Sequence, residues 1–469
     1  MCKLKEKYKS LKKKGKHGAM YVSTVVKIIS CVVVGALVIS GTAVVTNSAM
    51  NSTGDKVDSL FAKNYSYEGS GGAVVPGEGE VTLAAGAYDE NDVMLYSWNE
   101  LIAASDGKIS NTEVGNSAFK EATYAKIILP ESIISIDYGA FWGCKALTNI
   151  IIPDNVTSIG DYAFYNCLAI KNITLSNNLK TVGANAFGLC NQLESIIIPN
   201  SVTSMGDQAF YNCSNLTNVV LSDNIETIGD HAFFNCSSLA NLTLPSNLKT
   251  IGSNAIQNCG IKNITIPENV TKISTYAFAG CAYLENIIIP EGVTSIGDSA
   301  FYACSRLTNV NLPSKLKTIG KKAFQRCFLL NNVTIPNTVT SIGDYAFNLC
   351  KALKNITIST ELKTIGKYAF ASCFALENIN IPSNVTNIDE YTFSNCNSLK
   401  SVTLPSGLKT IKRFAFENCT ALTNIVIPNN VTTIGDYAFT GCTALTDVTI
   451  SEGTTFSSNS FKNCPWQNN

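Results

Sequence analysis

The sequence predicts a solenoid, a stack of short coils of the chain, preceded by one N-terminal transmembrane helix. Two observations predict this fold class. Fifteen cysteines recur between Cys144 and Cys464 at intervals of 23 residues, or 22 in two places, and a common apolar pattern accompanies them. Near the N-terminus, a lysine-rich segment is followed by 18 uncharged and mostly apolar residues. The solenoid is expected to be β-rich, with one long parallel sheet and short or helical turns on its other side.

Residues 1–27 predict a basic cytoplasmic segment, because they contain nine lysines and one glutamate. Residues 28–45 predict a transmembrane helix or signal anchor, since they carry no charge and are just long enough to cross a bilayer. The lysines place the N-terminus in the cytoplasm, which predicts a single-pass protein of the cell membrane with extracellular repeats. Cleavage after Ala43 would instead make the protein secreted. Lipidation at Cys31 is disfavoured because the apolar stretch follows that cysteine.

Residues 46–80 lack sustained periodicity and are rich in Gly, Ser and Asn, so they predict a flexible stalk. Residues 81–123 are expected to form an N-terminal cap, because the first coil of a solenoid has one face without a neighbour. Within this cap, apolar residues at helical spacing predict a helix: Leu95, Trp98, Leu101 and Ile102.

Residues 124–444 contain the 23-residue repeats, and the copy that begins at Leu147 reads LTNIIIPDNVTSIGDYAFYNC. Its start alternates inward and outward residues as a strand does, and Pro153, which lacks an amide hydrogen, ends that strand. The chain then turns back inward, Gly160 allows a tight bend, and a short turn closes the coil. The side chains expected to point inward are Ile150, Ile152, Val156, Ile159, Ala163, Phe164 and Cys167. Residues 445–469 lose this pattern and predict a degenerate last repeat with a C-terminal cap.

The L-x-x-I-x-I core resembles leucine-rich repeats, and the sequence is therefore expected to form a leucine-rich-repeat solenoid. The 23-residue form, with IP, V-x-x-IG, AF and C at fixed positions, closely resembles the BspA-like subclass over residues 124–464. The resemblance implies a cell-surface protein involved in adhesion, an adhesin or recognition module for host matrix, cells or glycans. The alternative is a structural spacer or surface-layer component without a specific ligand.

The repeated cysteines could form disulfides, because adjacent coils would bring equivalent Cα atoms near 5 Å. We favour buried free thiols, since each coil has one inward cysteine and an odd number cannot pair completely. Zinc is disfavoured because the sequence has no C-x-x-C motif and its two histidines are His17 and His231. We therefore expect no cofactor and no metal.

The sequence does not predict an enzyme. The triplet Gly297-Asp298-Ser299 is similar to an esterase motif, but it is the G-D-Y of the repeat with serine at the tyrosine position. Several coils have an aspartate at the same turn position: Asp161, Asp207, Asp298, Asp344 and Asp436. These aspartates could bind calcium, but each coil supplies only one carboxylate, so a role in the bend is the better interpretation.

Charge excludes one class of partner. The net charge of zero combines +8 over residues 1–27 with −8 over the rest of the chain. Because nucleic-acid binding needs a basic face, we expect no nucleic acid as a partner. The expected partners are extracellular proteins or glycans, and the membrane through the N-terminal helix.

The outward strand positions are the candidate binding surface. Position three of the repeat is asparagine in most coils, and stacked amides that hydrogen-bond to one another are the preferred interpretation there. Positions two and five vary more and combine mixed charge with β-branched side chains. They supply the predicted ligand-binding residues, Lys171, Glu194, Ile197, Val220, Lys262, Glu285, Ile288, Lys354, Glu377 and Lys400.

Overall fold

The computed structural model describes residues 83–468. The predicted basic segment, transmembrane helix and stalk, residues 1–80, lie outside the described residues. Within the part that is described, no helix is both long and apolar enough to cross a membrane.

The chain from residue 83 begins with two strands and one helix. The strands are Gly86–Tyr88 and Met94–Ser97, and helix α1 spans Trp98–Ala104. Ser97 caps α1 in a capping box, in which its side chain accepts the Glu100 N–H while the Glu100 carboxylate accepts the Ser97 N–H. Of the residues predicted to be helical, Trp98, Leu101 and Ile102 lie in α1, whereas Leu95 lies in the second strand. Between the two strands, Asp89 Oδ1 accepts the backbone N–H groups of Asn91 and Val93.

A stack of similar coils follows, and each coil contributes one short strand to each of two parallel ladders. The first ladder consists of Lys126–Ile128, Asn149–Ile151, Asn172–Thr174, Ser195–Ile197, Asn218–Val220, Asn241–Leu242, Asn263–Thr265, Asn286–Ile288, Asn332–Thr334, Asn355–Thr357, Asn378–Asn380, Ser401–Thr403, Asn424–Val426 and Asp447–Thr449. At Asn309 a single bridge to Asn332 takes the place of a strand.

The second ladder lies on the V-x-x-I-G arm of the coil. It consists of Glu113–Val114, Ser135–Ile136, Ser158–Ile159, Thr181–Val182, Ser204–Met205, Thr227–Ile228, Thr250–Ile251, Lys272–Ile273, Ser295–Ile296, Thr318–Ile319, Ser341–Ile342, Thr364–Ile365, Asn387–Ile388, Thr410–Ile411, Thr433–Ile434 and Thr455–Phe456. A 3-10 turn, Pro465–Asn468, follows the last coil.

The two ladders confirm the predicted parallel solenoid but show that one long sheet was an incomplete prediction. Equivalent residues pair from coil to coil, as Asn149 pairs with Asn172 in the first ladder and Ser158 with Thr181 in the second. The first ladder is also interrupted, since only its first six strands share one sheet and the later strands pair two by two. The first break lies between Asn241–Leu242 and Asn263–Thr265, whose equivalent asparagines are 22 residues apart rather than 23.

The core lies between the ladders and the turn arm. In the coil from Leu147 to Cys167, every residue predicted to point inward is buried, with at most 2 % of its surface exposed. The phenylalanines stack along the solenoid, with ring centroids of consecutive coils 4.8 to 5.6 Å apart. Ile256 replaces phenylalanine in one coil and divides this stack in two. Because each coil covers the next one, apolar burial is shared between neighbours.

The turn arm depends on residues in the left-handed region. Most coils have two of them, such as Tyr162 at φ 57° and Asn166 at φ 61°. Gly160 O accepts the Ala163 N–H at 3.3 Å, so Gly160 begins the turn as predicted, although its φ is not positive. A Cβ at Gly160 would lie 2.7 Å from the carbonyl carbon of Asp137 in the preceding coil, well inside van der Waals contact. Glycine suits this close approach of two backbones in most coils, while Asp137, Ser274, Asp389 and Lys412 occupy the equivalent position in four others.

The fifteen repeat cysteines are free and buried, which confirms their inward position. Each thiol donates a hydrogen bond to the backbone carbonyl of the preceding coil, three residues before that coil's own cysteine. Cys167 Sγ lies 3.1 Å from Phe141 O, and Cys190 Sγ lies 3.1 Å from Phe164 O. The thiol thus fills space as a small apolar group while satisfying a buried carbonyl.

Candidate binding surface on the strand face

The first ladder presents one row of side chains to the core and others to solvent. Ile150 is buried, whereas its neighbours Asn149 and Ile151 are exposed. We call the outward side chains at positions two, three and five of the first ladder the strand face. Because equivalent residues pair between coils, each position forms a row with steps of about 4.8 Å.

The asparagine row at position three is partly a ladder of amides. Asn286 Nδ2 donates to Asn263 Oδ1 at 2.9 Å, and Asn355 Nδ2 donates to Asn332 Oδ1 at 3.1 Å. Elsewhere the amide bonds within its own coil, as Asn424 does with Thr423. The predicted stacking therefore occurs at some coil pairs only, and these asparagines contribute to holding coils together.

All ten predicted residues lie on the strand face, but they do not form one site. They fall into three clusters, and the centres of neighbouring clusters are about four coils, or roughly 19 Å, apart. Ile197 and Glu377 are partly covered, and the other eight are exposed. The first cluster consists of Lys171, Glu194, Ile197 and Val220, the second of Lys262, Glu285 and Ile288, and the third of Lys354, Glu377 and Lys400.

The third cluster is an ion-pair network. Glu377 lies between two lysines, with its Oε1 3.1 Å from Lys354 Nζ and its Oε2 3.3 Å from Lys400 Nζ. Hydrogen bonds from Lys354 and then Lys400 hold the pKa of the Glu377 carboxyl below its usual range. Since all three side chains are partly or well exposed, the network keeps a net positive charge available to a partner.

Apolar side chains at position five expose hydrophobic surface to solvent. Val220 is 47 % exposed and Ile288 is 61 % exposed. The prediction omits Val426, which is 64 % exposed at the same position, although the repeat alignment marks it equally well. Threonine occupies this position in neighbouring coils, so the apolar residues are not required by the fold.

The repeated aspartates have a structural role that the sequence only suggested. Asp161 Oδ1 accepts the backbone N–H of Ala184 in the next coil at 2.7 Å, and Asp298 Oδ1 accepts that of Lys321 at 2.7 Å. These carboxylates therefore join coils. In residues 83–468, no three His, Cys, Asp or Glu side chains converge as metal ligands. Ser299 of the esterase-like triplet is 2 % exposed and cannot reach a substrate.

A shallow groove of about 710 Å³ runs along part of the second ladder. Its lining includes the serine or threonine and the glycine of four consecutive coils: Ser295, Gly297, Thr318, Gly320, Ser341, Gly343, Thr364 and Gly366. An open groove of this kind does not enclose a small molecule as a typical ligand pocket does.

The regular coil pattern agrees with one protein family. The BspA type leucine-rich repeat region matches six overlapping times, at residues 112–226, 157–285, 203–329, 272–396, 317–442 and 363–468. The chain belongs to this family. BspA-type proteins are cell-surface leucine-rich-repeat proteins, which is consistent with a binding or recognition module. The match indicates a repeat scaffold and no catalytic family.

Solved structures of leucine-rich-repeat proteins are similar to this BspA-type chain. A protein from Bacteroides ovatus is 30 % identical, with 73 % of this chain and 77 % of that chain covered and a TM-score of 0.47. A leucine-rich cell surface protein from Faecalibacterium prausnitzii is 27 % identical, with 75 % and 92 % covered and a TM-score of 0.40. No curated protein matches the chain.

Proposed function

We propose that this BspA-type protein is an extracytoplasmic adhesin or recognition module that binds host matrix proteins, cells or glycans through the strand face. The observation that carries the proposal is the row of exposed β-branched residues at position five, Val220, Ile288 and Val426 among them. Threonine would serve the sheet equally well at these positions, so the apolar side chains favour contact with a partner.

The charges around this row support a macromolecular partner. Lys171 and Glu194 lie in adjacent coils, as do Lys262 and Glu285, whose backbones are joined by hydrogen bonds of 3.1 and 2.8 Å. Three charged clusters about 19 Å apart suit a long contact rather than a compact ligand. The anchoring of this surface at a cell membrane through residues 28–45 is part of the same proposal.

The test uses the full chain in detergent and measures its binding to immobilised matrix proteins and to intact cells. Val220→Thr, Ile288→Thr and Val426→Thr together should weaken binding at least about tenfold, since each removes about 1 kcal/mol of apolar contact. The fold should be retained because threonine is native at this position in other coils. Unchanged binding by this triple variant would contradict the assignment of the strand face.

A charge-reversal variant tests the clusters separately. Lys171→Glu, Lys262→Glu and Lys354→Glu should also weaken binding. The matched control reverses three exposed lysines on the V-x-x-I-G arm, at Lys180, Lys317 and Lys363, and makes the same change in net charge. Equal effects of the two variants would show that net charge matters and that the strand face does not.

The alternative function is a spacer or surface-layer component. The ion pairs of Glu377 favour it, because they satisfy charges within the chain and leave fewer for a partner. If the unmodified chain binds neither cells nor matrix proteins nor glycans, the spacer function replaces the recognition function.

A further inference from the structure

A second ordered surface lies on the turn arm, away from the strand face. Over seven consecutive coils, the residue that follows the Gly position alternates in charge from coil to coil. We call these residues the charge row: Asp298, Lys321, Asp344, Lys367, Glu390, Arg413 and Asp436. All are exposed or half-buried, and equivalent backbone positions hold them in one line.

Ion pairs within the chain neutralise only part of the charge of this row. Lys321 Nζ lies 3.5 Å from Asp344 Oδ2, and Lys367 Nζ lies 2.8 Å from Glu390 Oε2. The lysine side chains nevertheless remain 65 % and 48 % exposed. Asp298 and Asp344 also accept backbone N–H groups of the next coil, so the fold uses the acidic residues of the row. Exposed ion pairs contribute little to stability, so the fold does not require the basic residues between them.

An aromatic stripe runs beside the charge row. It consists of Tyr345, Tyr368, Tyr391, Phe414 and Tyr437, which stack with ring centroids 4.4 to 5.0 Å apart. The Arg413 guanidinium lies 4.7 Å from the Phe414 ring and 5.9 Å from the Tyr437 ring, so the two features form one surface. Lys322 ends the stripe, with its Nζ 6.0 Å from the Tyr345 ring.

A row of alternating charges is complementary to itself when one copy is turned end for end. A twofold axis through a residue of the row would pair like charges, whereas an axis between two coils pairs opposite charges wherever the two rows overlap. With the axis between Lys367 and Glu390, these two face each other across the contact. Asp344 then faces Arg413, and Lys321 faces Asp436.

The aromatic stripe and the charge row together favour this axis over the others that the charges allow. The axis between Lys367 and Glu390 brings Tyr368 opposite Tyr391 and Tyr345 opposite Phe414. It also places Lys322 opposite Tyr437, where a cation can lie over a ring. Moving the axis by one coil keeps opposite charges facing each other but loses contacts. Toward the C-terminus, one charge pair and the contact of Lys322 are lost, and toward the N-terminus, one aromatic pair is lost. A parallel arrangement without a twofold axis would leave part of the surface of each copy unpaired, so that further copies could add and form a filament.

We propose that the charge row and the aromatic stripe form a homodimer contact, in which a second copy of this chain lies antiparallel about the axis between Lys367 and Glu390. The contact leaves the strand face free for its partner. Because the charges are exposed, association depends on salt: charges interact over about 30 Å at 0.01 M ionic strength and about 3 Å at 1 M.

The experiment is sedimentation velocity of the full chain in detergent at about 0.01 M and about 1 M salt. Lys367→Glu and Glu390→Lys should each raise the dimer dissociation constant at least about tenfold, because each creates two like-charge pairs across the axis. A mixture of the two variants should dimerise again, since opposite charges then face each other at both places.

The matched control is Lys249→Glu. Lys249 Nζ lies 2.8 Å from Glu226 Oε2, so this substitution disrupts an exposed ion pair of the same length outside the charge row. It should leave dimerisation unchanged. The proposal is overturned if the unmodified chain stays monomeric at low salt, if Lys367→Glu associates as well as Lys249→Glu, or if the mixture stays monomeric. Restoration in the mixture also shows that both variants are folded.

Discussion

At the scale of single residues, the repeat cysteine combines three properties in one side chain. It is small, it is largely apolar, and its thiol donates to a carbonyl of the preceding coil, as in Cys213 to Phe187 at 3.1 Å. Burial raises the pKa of the Cys213 thiol from its ordinary 9.0 to about 12. The buried thiols are therefore neutral and poor nucleophiles at physiological pH.

The raised pKa predicts alkaline destabilisation. Above pH 9.0 the unfolded chain loses the Cys213 proton while the folded chain keeps it until about pH 12. The unfolded state then binds fewer protons, so the free energy of unfolding decreases as pH rises through this window. Cys213→Ala should cost about 1 to 2 kcal/mol at pH 7 through a lost hydrogen bond and a small cavity.

The cost of Cys213→Ala should then shrink by up to about 1.4 kcal/mol per pH unit above pH 9. Urea unfolding of both proteins at pH 7, 9 and 10 measures this difference, and the subtraction removes titration of the other groups. A difference that does not change with pH would contradict burial of a neutral thiol. Cys213→Ser, which keeps a donor, controls for the lost hydrogen bond.

At the scale of one coil, the second ladder and the glycine next to it set how closely coils approach. A Cβ at Gly183 would lie 2.4 Å from Asp161 N and 2.4 Å from Gly160 C, both of them backbone atoms that cannot move aside. The same close approach recurs along the ladder, at Gly206 and Gly252 for example. The glycine row is thus a spacing device between coils.

Gly183→Ala should therefore destabilise the protein by at least about 2 kcal/mol, because the two coils must separate. Gly453→Ala is the matched control, since no atom lies within 4 Å of the added Cβ. That variant should change the free energy of unfolding by no more than about 0.5 kcal/mol. Thermal and urea unfolding compare them, and similar losses in both would contradict the spacing role.

At the scale of the whole solenoid, each coil contacts only its neighbours, and stability should add up coil by coil. Deleting residues 306–328 removes one complete coil and joins Cys304-Ser305 to Leu329-Leu330, which restores the C-x-x-L spacing. We expect a folded protein with a slightly smaller denaturant m-value, because about one coil less surface is exposed on unfolding. Circular dichroism and urea unfolding measure both.

Deleting residues 306–316 is the control for this prediction, since it removes about half a coil and shifts every later inward residue out of register. That variant should lose much of its cooperative unfolding. A full-coil deletion that unfolds as readily as the half-coil deletion would contradict a modular solenoid.

The repeat period made much of this architecture predictable, and the limits have physical reasons. Inward residues such as Phe164 and Cys167 recur in nearly every coil, so their burial follows from alignment. The second ladder was missed because Ser158–Ile159 is too short to show alternation. The left-handed turn was missed because residues such as Tyr162 are not typical of positive φ.

The candidate surface was predictable in outline only. Outward positions follow from strand alternation, which correctly identified exposed residues such as Ile288. The distances between the three clusters, and the pairing of Lys354 with Glu377, depend on how coils stack. The alternating charge row was visible in the sequence, but only its aspartates were interpreted, as bend residues, and the basic residues between them were overlooked.

The neighbour-only contacts described above also govern how the chain acquires its structure. The hydrogen bonds between coils join residues 20 to 26 positions apart, for example Val202 to Ser222 and Phe141 to Cys167. Relative to the described length, this separation is a contact order of roughly 0.06, at the fast-folding end of the known range. During synthesis, each new coil can thus dock on the coil before it as soon as it leaves the ribosome, before the C-terminus has been made. Folding is then expected to proceed as a zipper.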